Sequence, residues 1–174
     1  MRKYALVAVL LALVAAPAAM AQFRVDVGFD APMYVGLSSF GETSTGESVA
    51  VPSFIPLPFA QGSFQLDLGI IKAGIGIKAY TLIIESLGWP VLWAEMDFDP
   101  IVLNLTVGGG AFLYFGALGN GMLDVHFIIP DLSAMFKLGR FTRLGLGFMT
   151  FIGSETQDVF PFIAYGAIHF SFPL

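Results

Sequence analysis

Ile70-Ile-Lys-Ala-Gly-Ile-Gly-Ile-Lys-Ala-Tyr80 is the stretch whose reading decides the fold. Continued to Ile84, it is apolar enough to be weighed as a membrane helix, yet it carries Lys72 and Lys78. On a helix of about 3.6 residues per turn these two stand roughly 240° apart, so one ammonium would face lipid. On a strand, successive side chains take opposite faces. Lys72, Lys78 and Tyr80 then share one face, and Ile71, Ala73, Ile75, Ile77 and Ala79 take the other. A lysine facing lipid at mid-bilayer costs about 2–4 kcal/mol in a barrel, which selects the register that hides both. The stretch is a strand with a greasy outer face.

The end of the chain repeats the pattern. From Phe160 onward the even positions are apolar or Gly (Phe160, Phe162, Ala164, Gly166, Ile168, Phe170, Phe172, Leu174), while the odd ones carry Tyr165, His169 and Ser171. Residues 100–123 bear no charge and could pass for a helix on hydropathy alone. They hold Pro100, Gly108-Gly109-Gly110 and three further glycines, however, and Ile101, Leu103, Leu105 and Val107 alternate with Asn104 and Thr106. Period two again means strand.

Composition agrees. Charged residues make up 12% and hydrophobic residues 56%, with 18 Phe and 20 Gly, and the mean hydropathy is +0.80. A water-soluble domain carries about 25% charged residues. Arg2 and Lys3, the apolar run to Ala16 and Ala19-Met20-Ala21 form a secretory leader with a small-residue cleavage site. The expected division is a signal peptide over residues 1–21 and one barrel domain over 22–174; an uncleaved anchor helix is the other reading of the same run. With Arg2 and Lys3 removed, acidic residues outnumber basic ones about two to one, which offers nucleic acid nothing to bind. The chain has no Cys, excluding disulfides, a lipid-modified cysteine and thiolate metal sites.

The alternation predicts eight antiparallel strands closed into a transmembrane up-and-down barrel. Strand one starts at Phe23, with Arg24, Asp26 and Asp30 inward, and residues 37–50 form the longest loop. Strand two has Phe64, Leu66 and Leu68 outward against Gln65 and Asp67. A tight turn at Ile70-Ile71 leads into strand three, and a loop at 86–88 precedes strand four at 89–98, with Trp93, Glu95 and Asp97 inward. Strand five is expected over 101–115 and a short outer loop over 116–122. Strand six opens with Leu123, Val125, Phe127 and Ile129 outward and Asp124 and His126 inward. Its parity then reverses to Leu132, Ala134 and Phe136 outward, so a bulge is expected at Ile129-Pro130. Strand seven carries Arg143 inward, and residues 153–158 form the last loop.

A leader, eight alternating segments and the terminal strand Phe160–Leu174 together resemble the small eight-stranded bacterial outer-membrane barrels of the OmpA, OmpX and OmpW type. The resemblance covers the whole chain and is architectural. It implies an outer-membrane location, a monomer surrounded by outer-membrane lipid, and a terminal strand read by the barrel-assembly machinery through Phe170, Phe172 and Leu174. Such barrels usually end in Phe; here Pro173 and Leu174 follow Phe172. The resemblance implies a structural or surface-interaction role, with OmpW-like passage of a small hydrophobic ligand as the alternative. It also raises a lipid A-modifying enzyme, while a periplasmic lipocalin-like barrel would reverse inside and outside.

The expected lumen set is Arg24, Asp26, Asp30, Asp67, Lys72, Lys78, Glu95, Asp97, Asp124, Asp131, Lys137 and Arg143. An eight-stranded interior is just wide enough for side chains to fill, so these form a plugging ion-pair network; the competing reading is a narrow polar path. Gly108, Gly109, Gly110 and Pro130 would supply curvature, a hollow or a lateral opening. The glycine triplet lacks the Lys-Ser/Thr of a phosphate loop. His169 and Ser171 share a face, but the sequence shows no acidic neighbour to orient the His, so no catalytic residues are assigned. Asp124 beside His126 is too small a set for a metal, and no cofactor is expected. Trp89, Trp93, Tyr80 and Tyr114 suit interfacial aromatic girdles.

Overall fold

The computed structural model describes residues 22–39, 49–50, 55–82, 84–123, 126–153 and 159–174. The expected leader, most of the long loop after strand one, the loop at 154–158 and Asp124 lie outside that set. The strands are β1 (Gln22–Ser39), β2 (Val49–Ala50), β3 (Leu57–Leu68), β4 (Ile71–Leu82), β5 (Glu85–Asp97) and β6 (Ile101–Gly109). They continue with β7 (Phe112–Gly116), β8 (Gly119–Leu123), β9 (Phe127–Lys137), β10 (Thr142–Thr150), β11 (Ile152–Gly153) and β12 (Val159–Pro173).

Eight of these form a closed antiparallel ring. β1 pairs with β3, β3 with β4, β4 with β5 and β5 with β6. β6 pairs with β9, β9 with β10, β10 with β12, and β12 returns to β1. Closure matters because a free strand edge is an unpaired row of N–H and C=O groups. The start of β1 and the end of β12 meet at one end, the terminal end, where Arg24 pairs with Pro173. The tight β3–β4 turn and the β5–β6 and β9–β10 connections lie at that same terminal end. The short strands extend the opposite, far end: β2 on β1, β7 on β5, β8 on β7 and β11 on β9.

Alternation sorts the side chains as the sequence requires. Phe64, Ile75, Leu92 and Leu146 stand exposed on the outer wall, while Asp30, Ser63 and Glu95 are buried within. An apolar exterior of this extent is a surface for lipid, since water-soluble monomers rarely expose such contiguous patches. Because the polar residues occupy the inside, the lipocalin-like arrangement is overturned. Among the described residues no helix is long and apolar enough to cross a membrane.

Four local expectations are corrected. Residues 86–88 are strand, not loop: β4 and β5 stay in register up to Leu82 opposite Glu85, with Thr81 and Ser86 hydroxyls 3.2 Å apart. Strand five is broken, because Gly109 and Gly110 take φ of 111° and 80° and redirect the chain, a conformation glycine adopts at no steric cost. The expected outer loop at 116–122 is largely the β7–β8 hairpin, which closes with Gly116 opposite Gly119. Finally, no parity change occurs at Ile129-Pro130. The β6–β9 register runs without a shift from Gly109 opposite Ile128 through Val107 opposite Pro130. Ile129 is 4% exposed and Ile128 49%, so Phe127 and Ile129 point inward, in step with Asp131 and Ser133. The register shift the structure does contain is in β1, between Pro32 and Tyr34.

Candidate functional site: a layered lumen

The inward faces of the eight strands stack into layers. At the terminal-end mouth, Lys137 Nζ donates to both oxygens of Asp97, at 2.5 and 2.6 Å. Lys72 Nζ lies 3.9 Å from both Asp67 and Asp97. The Asp67 side chain is 43% exposed, so it belongs to the rim rather than the interior. It sits in the last turn of β3, where the wall ends.

The next layer stands deeper in the bore. Glu95 is fully buried at 0% exposure and accepts from Arg24 Nη1 at 2.9 Å and from Arg143 Nη1 and Nη2 at 2.6 and 3.1 Å. Arg24 also donates through Nε to Asp26 at 2.9 Å and through Nη2 to Ser171 Oγ at 3.1 Å, and Ser171 Oγ donates to Asp26 at 2.5 Å. The guanidinium lies over the Trp93 ring, 4.6 Å from its centroid. Two arginines against Glu95 and Asp26 make a charge-balanced set, which burial demands.

A third layer lies nearer the far end. Lys78 Nζ stands 3.6 Å from Asp30 and 3.5 Å from Asp131. Tyr80 donates its hydroxyl to Asp30, and Tyr165 donates to Asp131 at 2.5 Å. His169 Nε2 is 2.8 Å from Asp30. Asp30 is therefore the acidic neighbour of His169 that sequence spacing did not reveal, because it comes from the other end of the chain. No catalytic triad results: His169 is bound to Asp30, whereas Ser171 is bound to Asp26 and Arg24 in the layer below. His126 is exposed on the coil before β9.

Above the third layer the lumen turns apolar. Ring centroids follow one another from Phe59 to Tyr80 at 5.8 Å, Tyr80 to Trp89 at 5.5 Å and Trp89 to Phe112 at 5.7 Å. They continue from Phe112 to Phe127 at 4.4 Å and Phe127 to Phe151 at 5.8 Å. These separations are those at which aromatic pairs attract beyond simple burial. Tyr80, Trp89, Phe112, Phe127 and Phe151 line a cavity of about 180 Å³. Trp89, Trp93 and Tyr80 are thus lumen residues, not interfacial girdles. Their parity already said so: Trp89 and Trp93 share a face with Glu95, and Tyr80 shares one with Lys78. Tyr114 lies in β7, half-buried over Gly121.

Inward glycines make room for the rings. A Cβ at Gly108 would stand 2.4 Å from the Trp89 indole nitrogen, one at Gly74 2.7 Å from Trp93, and one at Gly147 2.1 Å from the Tyr165 ring. In a bore this narrow, each ring fits only where the facing position lacks a side chain. Gly108 and Gly109 lie in the paired β6–β9 seam opposite Ile129 and Ile128, and Gly110 N donates to Phe127 O at 3.1 Å. Phe172 and Leu174 are exposed on the outer face of β12, and Phe172 stacks on Phe141 at 5.4 Å. Phe170 is partly buried on the same face, opposite Val27.

No protein-family model matches the chain, and no curated protein matches it. Solved structures similar to it include the N-terminal β-barrel domain of Pseudomonas aeruginosa OprF, at 10% identity and a TM-score of 0.45 over 87% of this chain and 99% of that one. Neisserial surface protein A is similar at 13% identity and a TM-score of 0.45, covering 86% and 97%. OprG, an outer-membrane protein of Pseudomonas aeruginosa, is similar at 8% identity and a TM-score of 0.35, covering 87% and 96%.

Proposed function

We propose that this chain is a bacterial outer-membrane barrel, exported behind a cleaved leader, with a structural and surface-presenting role and a lumen that does not conduct. The observation that carries the reading is the buried Glu95 held between Arg24 and Arg143. A charge-balanced, hydrogen-bonded cross-section in an eight-stranded bore leaves no continuous water path. The terminal end then faces the periplasm and the far end the outside, in keeping with short turns on one side and longer loops on the other. Phe170, Phe172 and Leu174, on the outer face of the closing strand, are the residues the assembly machinery would read. The partner of the wall is outer-membrane lipid, and the role is non-catalytic, supported by His169 and Ser171 serving different layers. The test is planar-bilayer recording of the refolded protein: a silent bilayer is expected, and stepwise single-channel currents would remove the reading.

A second reading, uptake of small hydrophobic molecules, is favoured by the apolar far half of the lumen and its cavity. It requires the β6–β9 ladder to part near Gly108, Gly109, Gly110 and Pro130, so that a molecule leaves sideways above the plug. Uptake by vesicles carrying the protein separates the two. No uptake over protein-free vesicles sinks transport and leaves the structural barrel standing.

A further inference from the structure

We infer that the far-half cavity is a dead-end binding site for one uncharged, ring-sized apolar molecule. The site deepens the second reading above in one respect, binding, and does not need transport to occur. Folded interiors are close-packed, with few voids larger than a water molecule. Here about 180 Å³ stays empty, between side chains as large as Trp89, Phe112 and Tyr165 that could have filled it.

Volume and lining name the ligand class. An apolar cavity of about 150 Å³ stays dry and admits benzene, whereas drug-sized ligands occupy about 300–1,000 Å³. The space therefore suits a single ring with a small substituent. Its walls come from Leu57, Leu87, Trp89, Phe127, Met149 and Ile163 among others. Asp30 also borders it, but the Asp30 oxygens are already engaged by Tyr80, His169 and Lys78. A charged ligand would find no free partner in that lining.

The floor makes the site a dead end. Lys78, Asp30, Asp131, Tyr80 and Tyr165 bridge the bore in one belt of ion pairs and hydrogen bonds, and the Arg24–Glu95–Arg143 layer lies beneath it. A molecule seated above is separated from the terminal-end mouth by two ionic layers.

The chain has two tryptophans, one at the cavity and one in the plug, and they supply the test. The protein is labelled with 5-fluorotryptophan, refolded into phospholipid nanodiscs and titrated with toluene while fluorine resonances are followed. The Trp93 resonance is assigned by Trp93→Phe. A saturable shift of the Trp89 resonance with Trp93 unmoved is expected, and its loss in the cavity-filling variants Leu87→Phe and Ile163→Phe. A Trp89 resonance that stays still, a linear drift of both resonances, or a Trp89 shift that survives in both filled variants would overturn the site. Heat-modifiable migration of the same samples reports that each variant is a folded barrel, and planar-bilayer recording addresses the non-conducting reading separately.

Discussion

Single residues carry unequal weight in this barrel. Glu95 is bound by two guanidinium groups and has no solvent contact. Glu95→Ala strands both arginines in the bore, and removing one partner of a buried ion pair costs about 3–5 kcal/mol. A lowered urea midpoint for the lipid-folded protein is the expected result, and an unchanged midpoint would mean that the layer is hydrated and weak. Arg140 provides the contrast: it is exposed in the β9–β10 turn over Phe141, and Arg140→Ala should leave the midpoint within about 0.5 kcal/mol of the parent. Trp89 and Trp93 point into the lumen, so their emission should resist quenchers attached to lipid chains. Strong quenching by brominated lipids would put the rings back on the outer wall.

Elements meet here through paired vacancies and rings. β10 can lie against β12 with Tyr165 inward only because Gly147, its direct partner, has no side chain. Gly147→Ala places a methyl inside the Tyr165 ring, displaces the ring's hydrogen bond to Asp131 and should destabilise by about 1–3 kcal/mol. Gly139, in the β9–β10 turn with nothing near its would-be Cβ, should accept Ala with a far smaller shift of the same unfolding midpoint. The break after Gly109 also belongs to this scale. Past the two consecutive glycines with positive φ, β7 stays on β5 in a shifted register but takes β8 in place of β9 on its other side, while β9 keeps its ladder with β6. The sequence marks the place with Gly108-Gly109-Gly110. It does not say whether the chain bends, bulges or breaks there, because that depends on which neighbours accept the freed ladder.

The molecule as a whole is a lipid-facing wall around an interior of two kinds, ionic toward the termini and aromatic toward the far end. A closed barrel of this type should resist detergent at room temperature, so the unboiled protein is expected to migrate differently from the boiled one on gels. Identical mobility, with the protein in a soluble fraction, would remove the membrane barrel. Asp97 with Lys137 and Lys72 at the mouth, and Asp67 at the rim, are the groups that water reaches first. Substitution there should affect stability less than at Glu95.

Local chemistry alone determined the strands and their two faces. With Lys72 and Lys78 six apart, Trp93 in step with Glu95, and Tyr165 in step with His169 and Ser171, period two puts each set on one shared face, and the structure makes that face the inside. That is enough to predict an eight-stranded wall and to collect most of the lumen charges, since parity is written into each segment independently. Which charges meet was decided only by tertiary structure. Glu95 with Arg24 and Arg143, and Asp30 with His169 and Lys78, join residues far apart in the sequence, and their heights in the bore depend on the stagger of every hairpin between them. The aromatic cavity was hidden for the same reason. Local pattern put Trp89 in an interfacial girdle and Phe127 outward; closure of the ring sets both, with Phe112, around space that none of them fills.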